Sequence, residues 1–129
     1  MLQATGNLAI GSQTARVDLS NGGTVLAGTL QIDAGKLQNS GRLQAPDGVL
    51  LSADQFTNLA DGVVLGTGNG QGMRVQANQI NNAGNMQSAG GMTLQTAGAL
   101  NNSGTLATTS VLDGGSAGRI TLRGSNVSN

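Results

Sequence analysis

The sequence predicts an all-β fold, a parallel β-helix (β-solenoid) of about six coils of roughly 20 residues. Three observations predict it. A corner motif, apolar-x-Asn, returns along the chain at intervals of 18, 19, 24 and 20 residues. Between its copies lie triplets in which apolar and polar residues alternate, the period-two signature of a strand buried on one face. The composition suits nothing helical: there are 22 Gly, and Glu is absent. Gly at that density is costly in a helix, and Glu is among the better helix formers.

The elements follow in order. A partial unit opens the chain with Leu2, Ala4, Gly6, Leu8 and Ile10 in alternating rhythm. The first corner is Leu19-Ser20-Asn21, then Gly23 and a second apolar position, Val25, then the triplet Leu30/Ile32/Ala34. The second corner, Leu37-Gln38-Asn39, leads through Gly41 and Leu43 to Val49/Leu51/Ala53. At the third, Phe56-Thr57-Asn58, two extra residues in Leu59-Ala60-Asp61-Gly62 delay the Gly before Val64, and Met73/Val75/Ala77 follows. Ile80-Asn81-Asn82 leads through Gly84 and Met86 to Met92/Leu94/Thr96. Leu100-Asn101-Asn102 leads through Gly104 and Leu106 to Ile120/Leu122/Gly124. Length variation falls in two Gly- and polar-rich excursions, 66–72 and 108–118.

One such unit cannot bury its apolar face alone; stacked on copies of itself it can. At a strand spacing of about 4.8 Å the stack is a rod ~25–30 Å long. The narrow aliphatic core has little use for aromatic residues, and Phe56 is the single one. Asn21, Asn39, Asn58, Asn82 and Asn102 fall at a corner, where each amide is expected to bond the same amide one coil away as a structural ladder. The Gly after each Asn is expected to supply a positive φ. A disordered Gly/Ser/Asn linker is compatible with the low charge, but has no reason to keep alternation in register over several units. An antiparallel sandwich predicts hairpins between strands of similar length, not one corner motif returning about every twenty residues.

Charged residues make up 9% of the chain and the formal net charge is zero. Long-range attraction to nucleic acid or anionic lipid is therefore missing, and the six scattered bases offer no run for counterion release. No nucleic-acid partner is expected. No stretch has the apolar length of a membrane span, so no membrane insertion is expected either. The absence of Cys excludes a disulfide frame and a thiolate nucleophile, and suits a chain that stays unfolded while crossing an oxidising compartment. Met1 leads straight into repeat-like sequence, so residues 1–129 read as a single fragment of a longer repeat shaft, with any targeting signal elsewhere.

Motifs that carry chemistry are few. Asp47-Gly48, Asp61-Gly62 and Asp113-Gly114 are turn dipeptides. Asp33 and Asp54 flank inward-facing Ala residues and are expected to point to solvent. With no His, Tyr or Trp to tune a carboxylate or stack a sugar, neither a catalytic residue nor a cofactor or metal is expected. The Gly-rich run at 66–72 lacks the Lys-Ser/Thr of a phosphate loop and is read as a flexible excursion. The recurring Gly-Gly-x-Gly-x-Asp of calcium-binding repeats is not present. Arg119 and Arg123 are expected to share the outer face of one strand, where they offer a weak contact for a sulfated glycan; the places beside Arg123 are held by Asp33, Ser52, Gln76 and Gln95, so no basic ladder continues.

The units Leu37-Gln38-Asn39-Ser40-Gly41-Arg42-Leu43-Gln44-Ala45 and Leu100-Asn101-Asn102-Ser103-Gly104-Thr105-Leu106-Ala107-Thr108 resemble haemagglutinin repeats, from about Leu19 onward. Such repeats build the shafts of the filamentous haemagglutinin family, which includes adhesins and contact-dependent growth-inhibition toxins. The resemblance implies a right-handed helix and secretion by a Gram-negative bacterium through a partner outer-membrane transporter β-barrel. It further implies display on the cell surface as a shaft carrying an adhesive or toxic tip, and it carries over no catalytic residue.

Two functional readings follow. In the first the segment is a structural spacer; in the second a solenoid face or an excursion binds carbohydrate or a host or bacterial surface receptor. Ladders of exposed aromatic or basic residues would favour binding and are not seen, so the spacer is preferred. Cut solenoid ends expose unpaired strand edges, and end-to-end self-association of the fragment is expected.

Overall fold

A computed structural model describes residues 1–68, 71–109 and 118–129. The chain is a right-handed parallel β-solenoid. Its first coil holds β1 (Leu2–Gln3), β2 (Asn7–Gly11) and β3 (Val17–Asn21). The next three coils carry two strands each: β4 (Thr24–Leu26) and β5 (Thr29–Asn39), β6 (Arg42–Ala45) and β7 (Gly48–Asn58), then β8 (Val63–Gly66) and β9 (Met73–Asn82). The fifth coil holds β10 (Asn85–Ser88), β11 (Met92–Thr96) and β12 (Ala99–Asn102). The sixth holds β13 (Thr105–Thr108), β14 (Ile120–Arg123) and β15 (Asn126–Ser128).

The strands stack in three columns, every pairing parallel. One runs β1-β4-β6-β8-β10-β13, and a second β2-β5-β7-β9-β11-β14. A third joins β3 to the C-terminal halves of β5, β7 and β9, and continues through β12 to β15. The strand-turn-strand unit read from sequence is thus refined to three short sides. The long strands β5 and β7 turn from the second column into the third without a break. Inward residues step by two along Leu30, Ile32 and Ala34, then by three to Leu37, and two again to Asn39. A shift of one residue in the alternation turns the strand's buried face, because side chains change sides at every residue.

Register makes the core. Leu2, Val25, Leu43, Val64, Met86 and Leu106 fall in line in the first column. Leu8, Leu30, Val49, Met73, Met92 and Ile120 do so in the second, beside Ile10, Ile32, Leu51, Val75, Leu94 and Leu122. The third contributes Leu19, Leu37, Phe56, Ile80, Leu100 and Val127. The members in the middle coils are buried, and those at the two ends are half-buried or exposed. A fully buried Val, Leu, Ile, Phe or Met side chain contributes roughly 1.5–3 kcal/mol, so stacking the coils is the main source of stability.

The corner glycines act differently from the sequence expectation. Among the described residues positive φ is confined to Gly11, Gly48 and Gly72, none of which follows a corner Asn. What Gly41, Gly84 and Gly104 provide is close approach. A Cβ on any of them would strike the carbonyl oxygen of the corresponding glycine one coil back, Gly23, Gly62 or Gly84. The constraint is steric contact between coils, not left-handed backbone.

Of the two excursions, residues 69–70 and 110–117, and with them Asp113-Gly114, lie outside the described residues. The described flanks of the first stay on the coil beneath: Thr67, Gly68 and Gln71 donate their N–H groups to the carbonyls of Ala45, Pro46 and Asp47. Among the described residues no helix is long and apolar enough to cross a membrane.

Candidate functional site

At the end of the third column the chain turns inward-facing asparagines into a continuous polar file. Asn21 Nδ2 donates to Asn39 Oδ1 at 2.8 Å, Asn39 to Asn58 at 2.8 Å, Asn58 to Asn82 at 2.8 Å, and Asn82 to Asn102 at 2.7 Å. A sixth residue, Asn129, accepts from Asn102 at 2.6 Å. Each amide also serves its own turn. Nδ2 of Asn39, Asn82 and Asn102 donates to the carbonyl two residues on, at Gly41, Gly84 and Gly104. Nδ2 of Asn58 reaches Gly62, four residues on, so the two-residue insertion is absorbed without losing the contact. Further bonds from Asn39, Asn58 and Asn82 reach the strand that opens the coil after next, at the Val63, Asn85 and Thr105 carbonyls. Only an amino group can donate to these carbonyls, so the orientation of every amide is set.

Asn39, Asn58, Asn82 and Asn102 are buried. Buried polar groups are costly unless hydrogen-bonded, and among the described residues no buried side-chain nitrogen or oxygen lacks a partner. Asn129 escaped the sequence reading, although Val127-Ser128-Asn129 is a sixth apolar-x-Asn. Its interval of 27 residues hid it.

Arg119 and Arg123 are both exposed. Arg123 closes β14 opposite Gln95, whereas Arg119 precedes the strand and its carbonyl accepts the Met92 N–H at 2.8 Å. The register beside Arg123 is Gln95, Gln76, Ser52 and Asp33, four residues without a second base.

Asp33 departs from expectation. Alternation puts it on the outer face, yet it is only 4% exposed. The cause is segment 12–16, between β2 and β3, which reaches over that face. Its turn is held by the Ala15 N–H donating to Ser12 Oγ at 3.1 Å. Arg16 pairs with Asp54 two coils away, and this is the one ion pair among the described residues. Asp54 itself remains exposed. Gln13 stands beside Gln31, Asp33, Ser52, Arg74 and Gln76 around a cleft of about 330 Å³. Nothing in the alternation of β5 indicates that a loop will cover it.

Among the described residues no cluster of three or more His, Cys, Asp or Glu could hold a metal ion. Chemically, the buried file is a set of saturated hydrogen bonds with nothing left to offer a substrate, whereas the outer cleft presents open amide, carboxylate, hydroxyl and guanidinium groups. Comparison with protein-family models, curated proteins and solved structures returned no match to the chain.

Proposed function

We propose that the chain is a structural shaft segment of a large secreted bacterial surface protein, a scaffold and not a catalyst. The observation that carries this is the parallel stacking of the columns, shifted in register between Val17 and Leu19, with an asparagine file that runs unbroken from the first coil to the last. Each layer places a corner asparagine and a set of inward apolar residues over those beneath it, the arrangement expected of an element whose task is length and stiffness. The corner units resemble haemagglutinin repeats, and that resemblance supports passage through a partner outer-membrane β-barrel and display of an adhesive or toxic tip. A surface rich in Asn, Gln, Ser and Thr, without Cys, suits a chain that folds only after export.

Antibodies raised against the chain test the reading by immunogold labelling of intact source cells and by blotting the culture medium. Label on the surface or in the medium is expected; label confined to the cytoplasm overturns the proposal.

The open ends support self-association. Among the described residues the exposed large apolar ones are Met1, Leu2 and Val17 at one end and Ile120 and Val127 at the other. Growth of the sedimentation coefficient with concentration is expected, and Val127→Lys should abolish it; a strictly monomeric chain at high concentration counts against it.

A further inference from the structure

We propose that Asn21-Gly22 is a self-modifying site, at which the first rung of the asparagine file converts to aspartate or isoaspartate and the first coil loosens from the stack. The inference is independent of the shaft reading.

The chemistry needs an asparagine whose following backbone nitrogen can reach its side-chain carbon. Glycine favours this most, having no Cβ to crowd the ring closure and the widest choice of backbone conformation. The five corner asparagines are followed by Gly22, Ser40, Leu59, Ala83 and Ser103, so one rung of the five is an Asn-Gly step. The chain's other Asn-Gly step, Asn69-Gly70, lies outside the described residues.

The fold sets the first rung apart in two further ways. At the later rungs the next N–H is tied down: Ser40, Leu59, Ala83 and Ser103 donate to the carbonyls of Asn21, Asn39, Asn58 and Asn82 at 2.8–2.9 Å. Gly22 N–H donates to no backbone carbonyl among the described residues, and it is the nitrogen that attacks. The side-chain oxygens differ as well. Oδ1 of Asn39, Asn58, Asn82 and Asn102 accepts the amide of the preceding rung, whereas Oδ1 of Asn21 accepts the Gly23 N–H at 3.2 Å. That donor stabilises the negative charge that develops on Oδ1 as Cγ turns tetrahedral. Asn21 is also half-buried, open to water, whereas Asn39, Asn58 and Asn82 are buried.

The reaction consumes only water. Gly22 N loses its proton to hydroxide and bonds to Asn21 Cγ. The Cγ–Nδ2 bond breaks, and Nδ2 takes a proton from water and leaves as ammonia. A second water opens the cyclic imide at either carbonyl, yielding aspartate or isoaspartate. Neither product fits the corner. Asn21 Nδ2 donates to Asn39 Oδ1 at 2.8 Å and to the Gly23 and Arg42 carbonyls at 3.1 and 3.3 Å. A carboxylate in its place sets oxygen against three oxygens, and isoaspartate adds a methylene to the main chain besides. Both oppose the pairing of β3 with β5, so the first coil is the part released.

The test is incubation of the 129-residue chain in mildly alkaline buffer, read by tryptic mass spectrometry. Cleavage after Arg16, Lys36 and Arg42 isolates Asn21 in peptide 17–36 and Asn39 in peptide 37–42, each free of any other asparagine. Conversion of the first peptide and not the second is expected, at a rate that rises with hydroxide. Gly22→Ala, whose Cβ would meet Ser40 Oγ at an unstrained 3.7 Å, should slow conversion severalfold and leave the melting temperature unchanged. In Asn21→Asp the backbone amides of β3 should exchange with deuterium severalfold faster, and those of β12 at the same rate as before. The proposal is overturned if Asn21 stays intact in the folded chain, if Asn39 converts as fast, or if Asn21→Asp leaves exchange in β3 unchanged.

Discussion

Asn81 and Asn82 are neighbours in β9, and each meets an asparagine of β12 one coil on. The Asn82 amide donates to Asn102 Oδ1 at 2.7 Å inside the solenoid; Asn81 Oδ1 accepts from Asn101 Nδ2 at 2.9 Å outside it. The bonds are alike in length and in chemistry. Their surroundings differ: Asn82 is 2% exposed and donates to two carbonyls besides, whereas the outer pair faces water. Water replaces the outer bond at almost no cost when it breaks. Nothing replaces the inner one. The comparison teaches that the side chain the corner requires is set by the absence of an alternative partner, not by the strength of the bond.

The sharpest way to break this contrast is Asn58→Asp. Asn58 has no exposure, and its Nδ2 faces three acceptors, the Gly62 and Asn85 carbonyls and Asn82 Oδ1. A carboxylate there would oppose oxygen to oxygen and be buried without a counter-ion, at a cost above the ~1–3 kcal/mol of an unsatisfied neutral group. Burial raises the folded-state pKa of such a group above its unfolded value near ~3.9. The folded state then holds the proton after the unfolded state has released it, so stability is greatest in acid and falls as pH rises through and beyond that value. Thermal melts across pH check this; a variant equally stable at acid and neutral pH contradicts it.

Next in size is Asn82→Ala, which takes from Asn58 Nδ2 one of its three acceptors and from Asn102 Oδ1 its donor, for about 1–3 kcal/mol. Denaturant melts read the loss. A double-mutant cycle of Asn82→Ala with Asn102→Ala should show a coupling of ~0.5–3 kcal/mol, as for residues in one network; additive losses would mean the rungs act singly. Smaller still is Asn101→Ala, within about 0.5 kcal/mol by the same melts, as for a surface substitution away from special features. Equal losses at Asn82 and Asn101 would dissolve the comparison.

The columns were legible because two periods coincide in the sequence: alternation along each strand, and the return of apolar-x-Asn. The corner at Gly35-Lys36, where β5 turns into the third column, was not, since one skipped residue between Ala34 and Leu37 reads as noise in a period-two pattern. The burial of Asp33 could not be read either, because it depends on the path of segment 12–16, a course that no periodicity encodes. For the corner glycines the position was right and the reason wrong. Composition cannot tell a glycine needed for its φ from one needed because another backbone lies against it, as the Gly23 carbonyl lies against Gly41.

The rungs of the inner file are separated by 18, 19, 24, 20 and 27 residues, yet every bond falls between 2.6 and 2.8 Å. Contour length and axial rise are thereby uncoupled. A gene encoding such a chain can gain or lose residues at a turn, or whole coils by unequal recombination, and the product re-indexes itself on the next asparagine. Loop content can drift while the axis it hangs from keeps its pitch.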